Sequence, residues 1–180
     1  MREFEVERLI PLTSYSAALT GGGAEGVKMC RALKGFVEDE GLEDILEVYG
    51  AALPFLATEY ERFMRTECEV SALDPIQHVH FILAGYTEKD PENPFRLYLV
   101  WTKKKLPQLD GDEIGLAFAV PRIIRLEYRL NQMCRQNAKL DVILPEVQKT
   151  LERQGDMQEE IGGPFRYAII TRRGFERVDL

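Results

Sequence analysis

The chain is poor in the residues that build metal and redox centres. Its 180 residues include two histidines and three cysteines. Cys30, Cys68 and Cys134 are far apart and odd in number, with no C-x-x-C pair. That pattern argues against a zinc ribbon or a disulfide framework, and points to a reducing, cytoplasmic setting. Apolar runs are short, and none approaches the roughly 18 residues of a membrane span. The opening Met1-Arg2-Glu3-Phe4-Glu5 lacks the apolar core of an export signal. Positive charge is in deficit: 23 Lys and Arg against 30 Asp and Glu give a net charge of −7. Such a balance disfavours nucleic acid or an anionic membrane as partner. No G-x-x-x-x-G-K-[ST] loop is present, which disfavours an ATPase, and no cofactor is expected.

What is there suffices for a folded domain. Hydrophobic residues make up 45% of the chain, enough to bury a core without disulfide or metal staples. There is no internal repeat, low-complexity tract or linker, so residues 1–180 read as a single domain.

The periodicity predicts strands first. Val6 to Leu12 and Tyr15 to Leu19 are apolar and extended, with Pro11 to Ser14 as a turn. Gly21-Gly22-Gly23 breaks the pattern. Helical spacing follows over about Ala24 to Glu38, then over Leu42 to Arg65, where Pro54 predicts a kink near Gly50. Val79 to Tyr86 and Arg96 to Thr102 read as an antiparallel hairpin around the acidic, Pro-rich loop Glu88 to Pro94. Asp110-Gly111-Asp112 reads as a turn into a third helix over Phe118 to Arg135. A fourth covers Asp141 to Gln154, with Pro145 tolerated as a first-turn residue. Arg166 to Arg172, then Gly174 to Val178, close the chain as strands. Hairpins alternate with helix pairs and parallel βαβ units are missing. The fold class is therefore α+β, with antiparallel sheets and helices packed outside them in layers.

Several motifs admit a sharp and a plain reading. Gly21-Gly22-Gly23-Ala24-Glu25-Gly26 matches the G-x-G-x-x-G dinucleotide fingerprint, but its helix leads into another helix, so a tight turn bringing helix and sheet together is the better reading. His78 and His80 share one face of a strand and are the candidate metal ligands, with Asp74 nearby. Zinc needs a third convergent ligand that the pattern does not supply, so an ordinary strand start is preferred. Lys103-Lys104-Lys105 reads as a solvated strand end. Cys30 and Cys134 fall on apolar helix faces and read as core. Cys68 would need His78 or His80 as a base to be a nucleophile. Glu38-Asp39-Glu40 ends the first helix, where acids oppose the helix dipole.

Six segments, in order, resemble the proteasome family of N-terminal-nucleophile hydrolases. They are Val6 to Leu12, Tyr15 to Gly22, Phe81 to Tyr86 with Leu97 to Val100, Glu113 to Ala117, Ile161 to Pro164, and Ala168 to Gly174. The resemblance covers nearly the whole chain. It implies a four-layer αββα sandwich, assembly as a homo-oligomer or a ring with related subunits, and an ATP-dependent unfoldase as a possible partner. It also implies a role in proteolysis, in which the α-amine of an N-terminal Thr, Ser or Cys serves as base for its own side chain. The family's nucleophile opens a β-hairpin ahead of the region matched by this chain. The nucleophile and its lysine are thus expected to lie outside residues 1–180. Internal processing at Thr13, Ser14 or Thr20 is not expected, because no Gly-Thr, Gly-Ser or Gly-Cys pair occurs. Leu116, Gln158 and Ile161 stand where the family has a Ser, an Asp and a Ser, with Asp156 two residues from the acid position. No catalytic residue is therefore assigned, and the chain as given is expected to be inactive. The alternative is a catalytically silent structural or gating subunit of the same fold.

Overall fold

The computed structural model describes residues 7–21, 23–66, 79–102, 108–115, 117–119, 122–157 and 165–178. These gather into two compact units, one formed by residues up to Glu113 with Ala168–Arg177, the other by Ile114–Tyr167 with the C-terminal residues.

The first unit is built on a five-stranded antiparallel sheet in the order β1 (Leu9–Thr13), β2 (Ser16–Gly21), β3 (His80–Tyr86), β4 (Phe95–Thr102), β5 (Leu109–Glu113). The β3–β4 hairpin lies where expected, each strand starting one residue away from its expected bound, and pairs Phe81 with Val100 and Leu83 with Tyr98. Two expectations need correction. Strand β1 runs through Pro11 to Thr13, so the turn falls at Ser14-Tyr15. Pro11 is tolerated because β1 is an edge strand, where a missing N–H breaks no inner ladder. Asp110-Gly111-Asp112 is not a turn but the middle of β5, paired with Leu99 to Trp101. Gly111 belongs there for space: a Cβ would lie 2.6 Å from the Tyr49 hydroxyl oxygen and 3.3 Å from Leu53.

Two helices, α1 (Gly23–Asp39) and α2 (Ile45–Thr66), back one face of this sheet. Helix α1 turns inward Met29, Cys30, Leu33 and Val37, and α2 turns inward Ile45, Val48, Ala52, Leu56, Tyr60 and Phe63. These spacings of three and four put one stripe of each helix against the sheet. They meet Ile10, Leu12, Ala18, Phe81, Leu83, Tyr98 and Val100 in one core. Helix α2 runs without interruption through Gly50 and Pro54. Gly26 lets α1 approach β2 closely, since a Cβ there would sit 2.2 Å from the Gly21 carbonyl oxygen. The glycine-rich motif is thus a helix–sheet contact, as the plain reading expects.

Helix α1 ends in a paired closure. The Leu42 N–H donates to the Val37 carbonyl at 3.1 Å and the Gly41 N–H to the Glu38 carbonyl at 3.2 Å, with Gly41 at φ 64°. Only a residue at ease in the left-handed region closes a helix this way. Two residues on, Asp44 caps α2: its Oδ1 accepts the Leu46 N–H at 2.9 Å.

A second, two-stranded antiparallel sheet pairs β6 (Tyr167–Thr171) with β7 (Gly174–Val178).

The second unit contains α3 (Ile124–Arg135) and α4 (Leu140–Met157). Helix α3 starts six residues later than its apolar pattern suggests. The Glu127 carboxylate explains the delay. It accepts the Ala119 N–H at 2.9 Å and both Arg122 Nε and Nη2, at 2.7 and 2.6 Å, tying Ala119 and Arg122 to the first turn of the helix. These bonds hold its carboxyl below the usual range, the Arg122 pair contributing most. Pro145 is the sixth residue of α4, past the first-turn N–H groups that have no intrahelical partner. Arg129 of α3 pairs with Glu146 of α4 at 3.0 Å. The fold is thus α+β with antiparallel sheets and four helices among the described residues.

Candidate functional site

Side chains alternate across a strand, so the five-stranded sheet has a second face. It presents Leu9 of β1, Ala17 and Leu19 of β2, and Ile82 and Ala84 of β3. The β6–β7 hairpin covers part of it, bringing Ala168, Ile170 and Phe175 opposite. Between the two sheets lies an apolar cleft of about 410 Å³, bordered by Phe95 at the start of β4. Leu19 and Phe95 remain 42% and 52% exposed at it.

The hairpin is anchored at the β1–β2 turn. The Phe175 N–H donates to the Ser14 carbonyl at 2.7 Å, and Arg177 pairs with Glu7. Gly174, at φ 130°, lies directly under that carbonyl, and a Cβ would come within 2.9 Å of its oxygen. Any other residue would be strained in backbone and crowded in space at once.

His80 opens β3 opposite Gly21, on the same face as the cleft. Its ring occupies the space a Gly21 side chain would fill, with Nε2 only 2.0 Å from where that Cβ would be. Burial lowers its pKa, and the Arg8 guanidinium lowers it further. The imidazole is therefore uncharged at neutral pH. Among the described residues no group of three His, Cys, Asp or Glu could hold a metal ion. His78, the other candidate ligand, lies outside the described residues.

The hydroxyls near the cleft are engaged locally. Thr20 Oγ1 donates to the Gly21 carbonyl at 3.1 Å and is buried on the helix side. Thr13 Oγ1 is 2.9 Å from Ser16 Oγ and accepts the Tyr15 N–H at 3.0 Å. Cys30 is fully buried against the helices, and burial pushes its thiol up to about 12. It is a core residue, as expected. Cys134 is only half-buried, short of the core position expected for it. Cys68, Lys103 to Lys105, Leu116, Gln158 and Ile161 lie outside the described residues. Asp156 is exposed near the end of α4.

A polar clamp that the sequence reading missed closes one end of the sheet. The Thr87 hydroxyl donates to Asp44 Oδ2 at 2.6 Å, and Lys89 pairs with Glu47 at 2.5 Å. Arg96 reaches both Asp90 and Glu113. Tyr49 and Tyr98 stack beside them at 3.8 Å between ring centroids. Burial, then the neighbouring acids, raise the Tyr49 pKa, Asp112 contributing before Asp110 and Glu113. The clamp ties the loop after β3 to the start of α2. One signal for it was present: an Asp just before an apolar helical pattern marks an N-cap.

No helix among the described residues is long and apolar enough to cross a membrane. No protein-family model matches the chain, and no curated protein matches it.

Proposed function

We propose that this chain is a proteasome-like subunit of the N-terminal-nucleophile hydrolase class, acting in intracellular proteolysis as part of an oligomer. In this reading residues 1–180 supply the scaffold, and the nucleophile belongs to a segment outside them. The observation that carries the proposal is the cleft. Two antiparallel sheets face each other across about 410 Å³ of apolar space, and a helix pair backs the larger sheet. The element order β-β-α-α-β-β also follows the order of the segments that resemble the family. An N-terminal Thr, Ser or Cys lodged at such a cleft would use its own amine as base, and backbone N–H groups would hold the oxyanion.

A second reading, a catalytically silent structural or gating subunit, is favoured by the local chemistry. The hydroxyls of Thr13 and Thr20 are held in local hydrogen bonds, and His80 faces Gly21. The test is N-terminal sequencing and intact mass of the protein from its native host, with hydrolysis of fluorogenic peptides by the same sample. A mature chain opening on Thr, Ser or Cys, with hydrolysis blocked by capping its amine, supports the peptidase reading. A silent chain starting at Met1 that co-purifies with related subunits supports the second. A silent monomer defeats both.

A further inference from the structure

We infer that the cleft between the two sheets binds an amphipathic carboxylate, a medium-chain fatty acid, with its hydrocarbon chain on the alanine floor and its head at the arginine pair of the β6–β7 turn. The inference goes beyond the proposed function. It rests on the cleft and its rim, and on no part of the peptidase chemistry.

The cleft exists because small residues meet at it. Stacked sheets stand about 10 Å apart, and side chains from both fill the gap. Here Ala17 and Ala84 are direct cross-strand partners on the larger sheet, and Ala168 lines the cleft from β6. Methyl groups stand where longer side chains would interdigitate, and about 410 Å³ is left. That lies within the roughly 300–1,000 Å³ of small-molecule sites. Among the lining residues Arg96 alone is charged, and its guanidinium pairs with Asp90 and Glu113. It shares register with Gly85, where a Cβ would meet Ile45 of α2, so its charge is taken up on the helix side. The interior therefore suits a hydrocarbon and disfavours a charged body.

The mouth has different chemistry. The bond from the Phe175 N–H to the Ser14 carbonyl sets the β6–β7 turn beside the β1–β2 turn. Arg172 and Arg173 form the β6–β7 turn, and the Thr171 hydroxyl orders it. That hydroxyl accepts the Arg173 N–H at 3.0 Å and donates to the Gly174 carbonyl at 3.4 Å. Both arginines are exposed, and neither side chain has an ion-pair partner among the described residues. At the same end, Tyr15, Tyr86 and Phe95 follow one another at 6.0 and 5.5 Å between ring centroids. Phe95 lines the cleft and is half exposed, so an aromatic ledge leads out of it. The chain as a whole carries −7, which makes a pair of arginines beside an apolar opening a local exception. Guanidinium forks match a carboxylate in charge and in shape. From that mouth the floor runs along β2 from Ala17 to Leu19 and along β3 from Ala84 to Ile82. A hydrocarbon chain lying along it points away from the arginines, which receive the head.

Isothermal titration calorimetry of the 180-residue chain with decanoate tests this. One decanoate per chain is expected, bound roughly tenfold tighter than octanoate, since each buried CH₂ contributes about fourfold. Decanol and decylamine carry the same chain without the carboxylate and should each bind roughly tenfold more weakly. Arg172→Gln with Arg173→Gln should weaken decanoate by roughly tenfold and leave decanol unchanged. Ala17→Leu fills the cleft and should abolish the binding of both, with circular dichroism checking that each variant folds. Absence of saturable binding, decylamine bound as tightly as decanoate, or indifference to Ala17→Leu would each overturn the inference. A loss on Arg8→Gln with the turn pair silent would put the head at the opposite end, beside His80, and overturn it equally. Phosphatidylglycerol vesicles separate a membrane surface from a free acid as the source of the head. Co-sedimentation of the chain with them, without binding of monomeric decanoate, would make the arginines a lipid-surface contact and overturn the cleft site. The mature N-terminus and peptide hydrolysis report on the catalytic reading and are silent on decanoate.

Discussion

The five-stranded sheet has two faces of similar composition and very different completion. Toward the helices, Phe81, Leu83, Val100 and Ala18 are fully buried and packed among Leu33, Ile45, Val48 and Leu56. Away from them, Leu9, Leu19, Ile82 and Ala84 are met, among the described residues, by a two-stranded hairpin, and a cleft remains. An interior packed to crystal density leaves no such space. A sheet with apolar residues on both faces is made to be covered on both. The helix-backed face is thus a finished core, and the other is a surface that still has room for a partner, a ligand or further chain.

Truncations break this comparison most sharply. Leu83→Ala on the finished face should cost about 2–5 kcal/mol, as a buried leucine leaves a cavity. Leu19→Ala on the open face should cost within roughly 0.5 kcal/mol, as at exposed positions generally. Urea denaturation of both proteins measures the gap, and equal costs would mean that the two faces are equally packed. Insertions should then differ in sign. Ala18→Leu overfills the helix side and should destabilise by about 1–3 kcal/mol. Its neighbour Ala17 borders the cleft, so Ala17→Leu fills space and should stabilise by roughly 0.5–2 kcal/mol. A destabilised Ala17→Leu would mean that the cleft is not open in solution. The clamp at the sheet end gives a smaller effect. Asp44→Ala removes the α2 cap and the Thr87 partner together and should cost about 1–2 kcal/mol, read by thermal or urea unfolding.

The finished face was the legible one. Cys30, Leu33, Val37, Leu56 and Tyr60 recur at helical spacing, and Phe81 to Tyr86 forms one apolar run, so period and length alone locate these elements. The open face was harder to read because small residues define it. Ala17 and Ala84 leave no periodic signal that separates a cleft floor from a packed core. Strand β5 was hidden by its own composition: Asp-Gly-Asp favours a turn locally, and only pairing with β4 and the close approach of Tyr49 make it a strand. Helix α3 started late because a side-chain fork on Glu127 outweighed a helical pattern. Both misses have one cause: long-range or side-chain contacts overrode local preference, and such contacts are not written in a window of neighbouring residues.

Thiol chemistry sharpens the comparison with the least disturbance to stability. Cys30 is fully buried on the finished face, with its thiol pushed up to about 12. At pH 8 the thiol therefore stays overwhelmingly protonated, and the thiolate is the reactive form. Alkylation of Cys30 must therefore wait for the core to open. A cysteine introduced by Ala84→Cys borders the cleft and should label in the native protein, faster than Cys30 by orders of magnitude, with peptide mass mapping assigning each site. The same burial gives a pH dependence. The folded thiol stays neutral while the unfolded one ionises near 9, so the stability this group contributes is intact below that pH. It is then lost progressively as pH rises toward about 12. Cys30→Ala should flatten stability in that alkaline range and leave it unchanged in shape near neutrality. If Cys30 and the Ala84→Cys thiol instead label at similar rates, the helix-backed face opens as readily as the cleft, and the difference in completion between the two faces does not persist in solution.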